Sequence, residues 1–182
     1  MKRVDIKAGF LCNNNCLFCV QAHKKKFGDR DTPEIIKDLR LARKECSQIV
    51  FTGGEVTIRP DILSLVEEAK RLGYSRIQIQ TNARMLCYKD LCIKLINAGA
   101  NEFSPAIHGH TAPLHDYLTT IDGSFNQTVQ AIKNLKELGQ TVMTNTVITK
   151  SNYHHLKELA ELLVSLHVDQ FQFAFPHAVG NA

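Results

Sequence analysis

The residues best suited to chemistry stand close to the N-terminus. Cys12, Cys16 and Cys19 form the run CNNNCLFC, directly after a short apolar segment that reads as the first strand. Three thiolates can hold three corners of a cubane iron-sulfur cluster, which leaves one iron open to a ligand from outside the protein. The same segment also offers a plainer site, because Cys12, Cys16, Cys19 and His23 could close a tetrahedral Cys3His zinc shell. Asn13, Asn14 and Asn15 suit an irregular loop, since asparagine tolerates left-handed backbone and supplies local hydrogen bonds.

A second group follows the second apolar run, in the segment FTGGE from Phe51 to Glu55. Paired glycines at a strand end let a ligand approach the backbone, and the carboxylate adds an acceptor for an ammonium group; a simple turn is the bland alternative. Further on, Thr81 and Asn82 end a third run at the same strand ends, where the plain reading of Asn82 is a helix cap or turn residue. The segment AIHGHTAPLHD gathers His108, His110, His115 and Asp116, which read as a second metal site, a proton donor or, more simply, hydrogen-bonded loop residues. His154 and His155 are adjacent on a helix, about 100° apart, and cannot share a ligand face.

Composition narrows the class. The 182 residues are 44% hydrophobic and 22% charged, ordinary for one domain with a real core. A net charge of +4, with Lys24 to Lys26 as the longest basic run and no tryptophan, predicts no nucleic-acid partner. No apolar stretch approaches the roughly 20 residues that span a bilayer, so no membrane association is expected and the chain reads as cytoplasmic. Six cysteines, three of them at ligand spacing, favour a reducing compartment over a disulfide scaffold; Cys46 and Cys92 read as half-buried apolar side chains in helical segments.

The elements that must position these residues follow from periodicity. Strand-like runs at 4–10, 48–51, 76–80, 102–107, 141–148 and 169–175 alternate with helical patterns. Thr32 before Pro33, Asp61 after Pro60, Ser124 and Asn152 are the expected helix caps. Six strand-helix units predict a parallel α/β sheet, a six-stranded (β/α)6 partial TIM barrel, because a closed eight-unit barrel takes about 250 residues. Ligands in such folds lie at the carboxyl ends of the strands, where the cysteine loop and the Gly-Gly turn both fall. No helix pattern follows the last strand, so residues 1–182 read as a core domain, a candidate fragment truncated at its C-terminus.

The Cys-x3-Cys-x2-Cys loop after strand one, with Phe18 before its third cysteine, and the Gly-Gly-Glu after strand two together resemble the radical S-adenosylmethionine (SAM) superfamily. The resemblance implies a 4Fe-4S cluster on Cys12, Cys16 and Cys19, and SAM bound through its amino group by Gly53, Gly54 and Glu55. It also implies Phe18 near the adenine, Asn82 lining the SAM pocket and Asn145 reaching the ribose. The implied activity is reductive cleavage of SAM to a 5′-deoxyadenosyl radical that takes hydrogen from a substrate not legible here, a peptide or a cofactor among the options. A one-electron donor of flavodoxin or ferredoxin type is implied with it, and Lys24 to Lys26 are a candidate landing patch.

Two positions depart from the family pattern. Val56 stands where proline is common, which predicts a less rigid loop. Ala106 stands where many relatives have serine, which puts one SAM contact in doubt unless His108 compensates. A subgroup of the family adds a C-terminal cluster domain, for which this chain has no downstream cysteines. The competing reading is a non-catalytic zinc- or cluster-stabilised binding module.

Overall fold

The computed structural model describes residues 2–176. The expectation about the C-terminus bears on residues 177–182, which lie outside the described residues. Twelve main elements run strand then helix as the periodicity predicts, except that an additional helix, α4, precedes α5 between β4 and β5; the order is β1 (Arg3–Lys7), α1 (Thr32–Ala42), β2 (Gln48–Thr52), α2 (Ile62–Arg71), β3 (Arg76–Thr81), α3 (Lys89–Ala98), β4 (Glu102–Pro105), α4 (Ala112–Thr119), α5 (Ser124–Glu137), β5 (Thr141–Val147), α6 (Leu156–Ser165) and β6 (Gln170–Ala174). All neighbouring strands pair in parallel and follow one another in chain order, β1 to β6, so the sheet is an open arc, a partial barrel.

Alternation along the strands divides the two faces. Ile6, Ile49, Phe51, Ile77, Ile79, Phe103 and Val142 point outward, where they meet Ile35 and Leu39 of α1, Leu65 and Val66 of α2, Leu95 of α3 and Ile132 and Leu135 of α5. Each of the two buried phenylalanines, Phe51 and Phe103, contributes about 2 kcal/mol by leaving water. The inner face is polar and amide-rich, with Gln78, Gln80, Ser104 and Asn145 alternating against that core. A sheet with a greasy back and a polar front holds its outer helices firmly and leaves the concave side for ligands.

The helix starts differ from expectation in detail. Asp31, not Thr32, is the N-cap residue of α1. Asp61 does precede α2, but its carboxylate takes Arg59 and Thr32 rather than the helix amides. Ser124 is the first residue of α5, and the capping acceptor is Asp116 from α4, which receives Gly123 N, Ser124 Oγ and Phe125 N, each at 2.7 Å. Cys46 lies beyond α1 in the connector to β2, whereas Cys92 is buried inside α3.

Candidate active site

A cavity of about 360 Å³ opens at the carboxyl ends of the strands. Cys12, Cys16, Cys19, Phe18, Gly53, Gly54, Asn82 and Asn145 all line it, together with Ala106 and His108. Of the residues expected there, Glu55 alone is absent from the lining. A smaller cavity of about 190 Å³ continues along the inner face of the sheet and shares Gln80 and Asn145 with the first.

The cysteine loop is held by polar contacts from four directions. Arg84, on the 3-10 turn Arg84–Cys87 after β3, donates to Asn13 O at 2.6 Å, to Asn14 Oδ1 at 3.1 Å and to Gln127 of α5 at 2.7 Å. Asn82 Nδ2 reaches Asn13 Oδ1 at 2.7 Å and lies 3.8 Å from Cys12 Sγ. Lys25 places Nζ on Asn14 O at 2.6 Å, and the end of α4 takes Asn15 N and Leu17 N on Thr119 O and Leu118 O. None of the three asparagines is left-handed; positive φ outside glycine falls on Ala83, Thr120 and His167 among the described residues. Their side chains and carbonyls serve as acceptors for neighbouring cations and amides instead. Lys25 therefore faces the loop and is withdrawn from the basic patch, while Lys24 and Lys26 lie over the rings of Phe10 and Phe27.

The Gly-Gly turn packs against that loop so closely that no side chain would fit. A Cβ on Gly53, whose φ is +142°, would meet Gly9 O at 2.3 Å, and one on Gly54 would meet Leu11 O at 2.1 Å. Gly54 N and Glu55 N donate to Gly9 O and Leu11 O, which fastens the end of β2 to the cysteine loop. With those amides engaged, the turn has carbonyl oxygens left for a ligand, the acceptors an ammonium group requires.

Glu55 sits beneath the turn at 2% exposure. Its carboxylate accepts from Thr57 N at 3.0 Å, Thr57 Oγ1 at 2.5 Å, Thr81 Oγ1 at 2.6 Å and Asn82 N at 2.6 Å. Burial pushes its pKa upward against those four hydrogen bonds, which pull it down. The carboxylate thus clamps the ends of β2 and β3, and it caps the 3-10 turn Val56–Ile58, so the loop at Val56 is braced without proline. Arg59 is a second brace, 6% exposed, donating to Ala8 O at 2.6 Å and to Arg30 O at 3.0 Å.

The histidine group divides. His108 and His115 are buried and stacked, with ring centroids 5.8 Å apart, and His108 meets Phe18 edge-on at 4.6 Å. Burial, with His115 alongside, lowers the pKa of His108 to about 3; burial lowers that of His115 to about 4, against the pull of Asp116. His110 packs on His155 at 4.9 Å and is not among the residues that line the cavity. His154 and His155 are exposed.

The cysteines fit a polynuclear group. All three face one cavity; burial followed by the neighbouring cysteines pushes the Cys16 thiol up to about 12, so coordination there would have to displace its proton. His23, the fourth ligand of a zinc shell, is exposed on the turn Ala22–Phe27 and outside the cavity lining. A buried acceptor, Asn145 Oδ1, has no hydrogen-bond partner and marks the opposite wall as a place for a donor.

A parallel partial barrel with a triple-cysteine cavity at its strand ends defines a cofactor-dependent α/β enzyme class. The sequence model of the Radical SAM superfamily matches residues 6–163, and the chain belongs to that family. Members use a 4Fe-4S cluster and SAM. A probable GTP 3′,8-cyclase of Saccharolobus islandicus (strain Y.N.15.51 / Yellowstone #2) is 28% identical over 175 residues, covering 93% of this chain and 55% of the relative. An AdoMet-dependent heme synthase of Oleidesulfovibrio alaskensis is 28% identical over 158 residues, covering 85% of this chain and 40% of the relative. The chain thus spans about half the length of the curated relatives it matches, or less. Streptococcus suis SuiB bound to S-adenosylmethionine superposes with a TM-score of 0.81 at 21% identity, over 97% of this chain and 41% of that one. Methylornithine synthase superposes with a TM-score of 0.76 at 19% identity, over 99% and 55%.

Proposed function

We propose that this chain is the SAM-cleaving core of a radical SAM enzyme whose substrate is bound on the concave face of the sheet. The observation that carries the reading is the meeting of three cysteines and a Gly-Gly turn on one cavity at the strand ends. Cys12, Cys16 and Cys19 would hold a 4Fe-4S cluster by three irons. When bound and reduced, that cluster supplies the electron that splits SAM into methionine and a 5′-deoxyadenosyl radical able to take hydrogen from substrate.

The remaining work belongs to the chain. Backbone carbonyls of Gly53 and Gly54 would receive the ammonium group of SAM, and Glu55 would keep that turn in place from below. Asn82, tied to Asn13 and to the Glu55 carboxylate, would hold the cysteine loop against the pocket wall. Asn145 would turn its unpartnered oxygen to a ribose hydroxyl, and Phe18 would offer its ring to the base. Phe10, Phe18 and Val20 make the cysteine side of the cavity apolar, which limits water at a radical centre. Substrate would reach the reaction from the adjoining amide-lined cavity.

Residues 1–182 would form one core domain of a longer protein. No helix among the described residues is long and apolar enough to cross a membrane, and a cytoplasmic, reducing setting suits the free cysteines. The electron would come from an acidic one-electron carrier of flavodoxin or ferredoxin type. Anaerobic incubation of the iron- and sulfide-reconstituted protein with SAM and dithionite tests the reading. It should yield 5′-deoxyadenosine and methionine in equal amounts; a reconstituted protein that leaves SAM intact would contradict it.

A further inference from the structure

Four side chains on the concave face end in free amides or a free hydroxyl. Gln80 of β3 stands beside Ser104 of β4 in the parallel register, and Gln170 and Gln172 of β6 stand beside Met143 and Asn145 of β5. All line the smaller cavity. Gln80, Ser104, Gln170 and Gln172 make no side-chain hydrogen bond among the described residues. Gln78, the remaining glutamine of the wall, donates Nε2 to Glu102 at 2.6 Å, and Arg76 meets the other oxygen of that buried carboxylate at 3.3 Å. Asn145 adds its buried, unpartnered Oδ1 at the border with the larger cavity.

The wall is polar yet nearly uncharged. Among the described residues that line it, Arg3 at the start of β1 alone carries a charge. A triphosphate or a polycarboxylate would need several cations to replace its water, and a flat hydrocarbon ring would need an apolar surface; the wall offers neither. Side-chain amides pair instead with groups that give and take a hydrogen bond at once, as a backbone amide does. The spacing agrees. Residues two apart on a strand repeat at about 6.6 Å, the period at which an extended peptide shows its amides to one side; Gln78 with Gln80 and Gln170 with Gln172 are two such pairs. β1 and β6 do not pair with each other, so the groove is open along one side and a chain can lie in it lengthwise.

We infer that this wall is a docking groove for an extended peptide substrate, whose backbone pairs with the amides of Gln80, Gln170 and Gln172 and with the Ser104 hydroxyl. The inference rests on the reading of the larger cavity as the SAM site. Gln80 and Asn145 belong to both cavities, so a chain lying along the groove ends beside the place where SAM would be split. Recognition of this kind reads the peptide's backbone and leaves its side chains largely unread.

Because backbone pairing needs no particular sequence, a capped tetra-alanine peptide serves as the probe. It is titrated anaerobically, in the presence of SAM, into reconstituted protein carrying nitrogen-15 in its glutamine side chains, and the side-chain amide resonances are followed by NMR. Those of Gln170 and Gln172 should shift and saturate in the millimolar range. Gln80→Met and Gln172→Met, which keep the side-chain length but lose the amide, should each raise the Kd about fivefold, as expected for the loss of one hydrogen bond. If Gln80→Met does not fold, the variant at the exposed Gln172 decides alone. The same peptide methylated on its backbone nitrogens should leave the resonances in place, and so should guanosine triphosphate. No shift with the capped peptide, peptide binding untouched by the Met variants, or a saturable shift with guanosine triphosphate that Gln172→Met abolishes overturns the inference. Calorimetry of SAM binding in the same samples separates the two readings. SAM bound without a peptide response sinks the groove alone; a peptide response weakened by Gln172→Met in a protein that binds no SAM keeps the groove and sinks the SAM site.

Discussion

Glu55 changes meaning between sequence and structure more than any other residue. Its place after two glycines suggests a ligand for an ammonium group, yet its carboxylate lies under the turn with four donors around it. Glu55→Ala would leave those buried donors without an acceptor and should destabilise the protein by about 4 kcal/mol in urea titrations; Glu55→Gln, which keeps one acceptor oxygen, should cost about half as much. The buried histidines set a second expectation. His108 and His115 titrate near 3 and 4 when folded, whereas an unfolded histidine titrates near 6.5. Below that value the unfolded chain takes up protons that the folded one refuses, so stability falls as pH drops from about 6.5 towards 4, by up to about 1.4 kcal/mol per pH unit for each ring. Asp61, Asp116 and Asp169, all held below the usual carboxylate range, extend the loss to lower pH. Replacing His115 by Gln should roughly halve the slope of unfolding free energy between about pH 6 and 4.5. Residue types and spacing announced the cysteines and glycines; the direction of the Glu55 carboxylate depends on a turn that places Thr81 beside it, and no local pattern carries that.

At the scale of elements, the site is assembled by short connectors as much as by strands. Arg84 joins the turn after β3 to the cysteine loop and to α5, and Arg84→Lys, which loses the fork of the guanidinium, should speed amide exchange in residues 13–17 by about tenfold or more while the strand core stays protected. Asp116 ties α4 to the start of α5, and Asp116→Ala should lower stability by about 2 kcal/mol, measured by chemical denaturation, because three donors lose one acceptor. Neither contact was legible beforehand. Arg84 sits 70 residues from its partner Asn14, a separation no periodicity encodes. The helix α4 itself escaped notice, since eight residues containing a proline, after Gly109 and Thr111, read as a loop. The six strands, by contrast, fall within a few residues of their apolar runs, because alternation against a helix-covered core is a repeated signal.

For the molecule as a whole, chain order and strand order coincide, which is why six strand-helix units were enough to predict an open, parallel barrel segment. The concave face then gathers what the linear sequence scatters: a cysteine loop, a Gly-Gly turn and an amide-lined wall around connected cavities. What the sequence withheld is the second layer beneath that face, where Glu55, Arg59 and Arg84 brace the loops through contacts between distant segments. The central claim is that the protein grips a cluster at three points and leaves the fourth to SAM. Electron paramagnetic resonance of the reconstituted, reduced protein before and after addition of SAM tests it most directly. The account predicts a 4Fe-4S signal that changes shape when SAM binds and is absent from a Cys12→Ala, Cys16→Ala, Cys19→Ala protein; a signal indifferent to SAM, or one surviving the loss of all three cysteines, would contradict it.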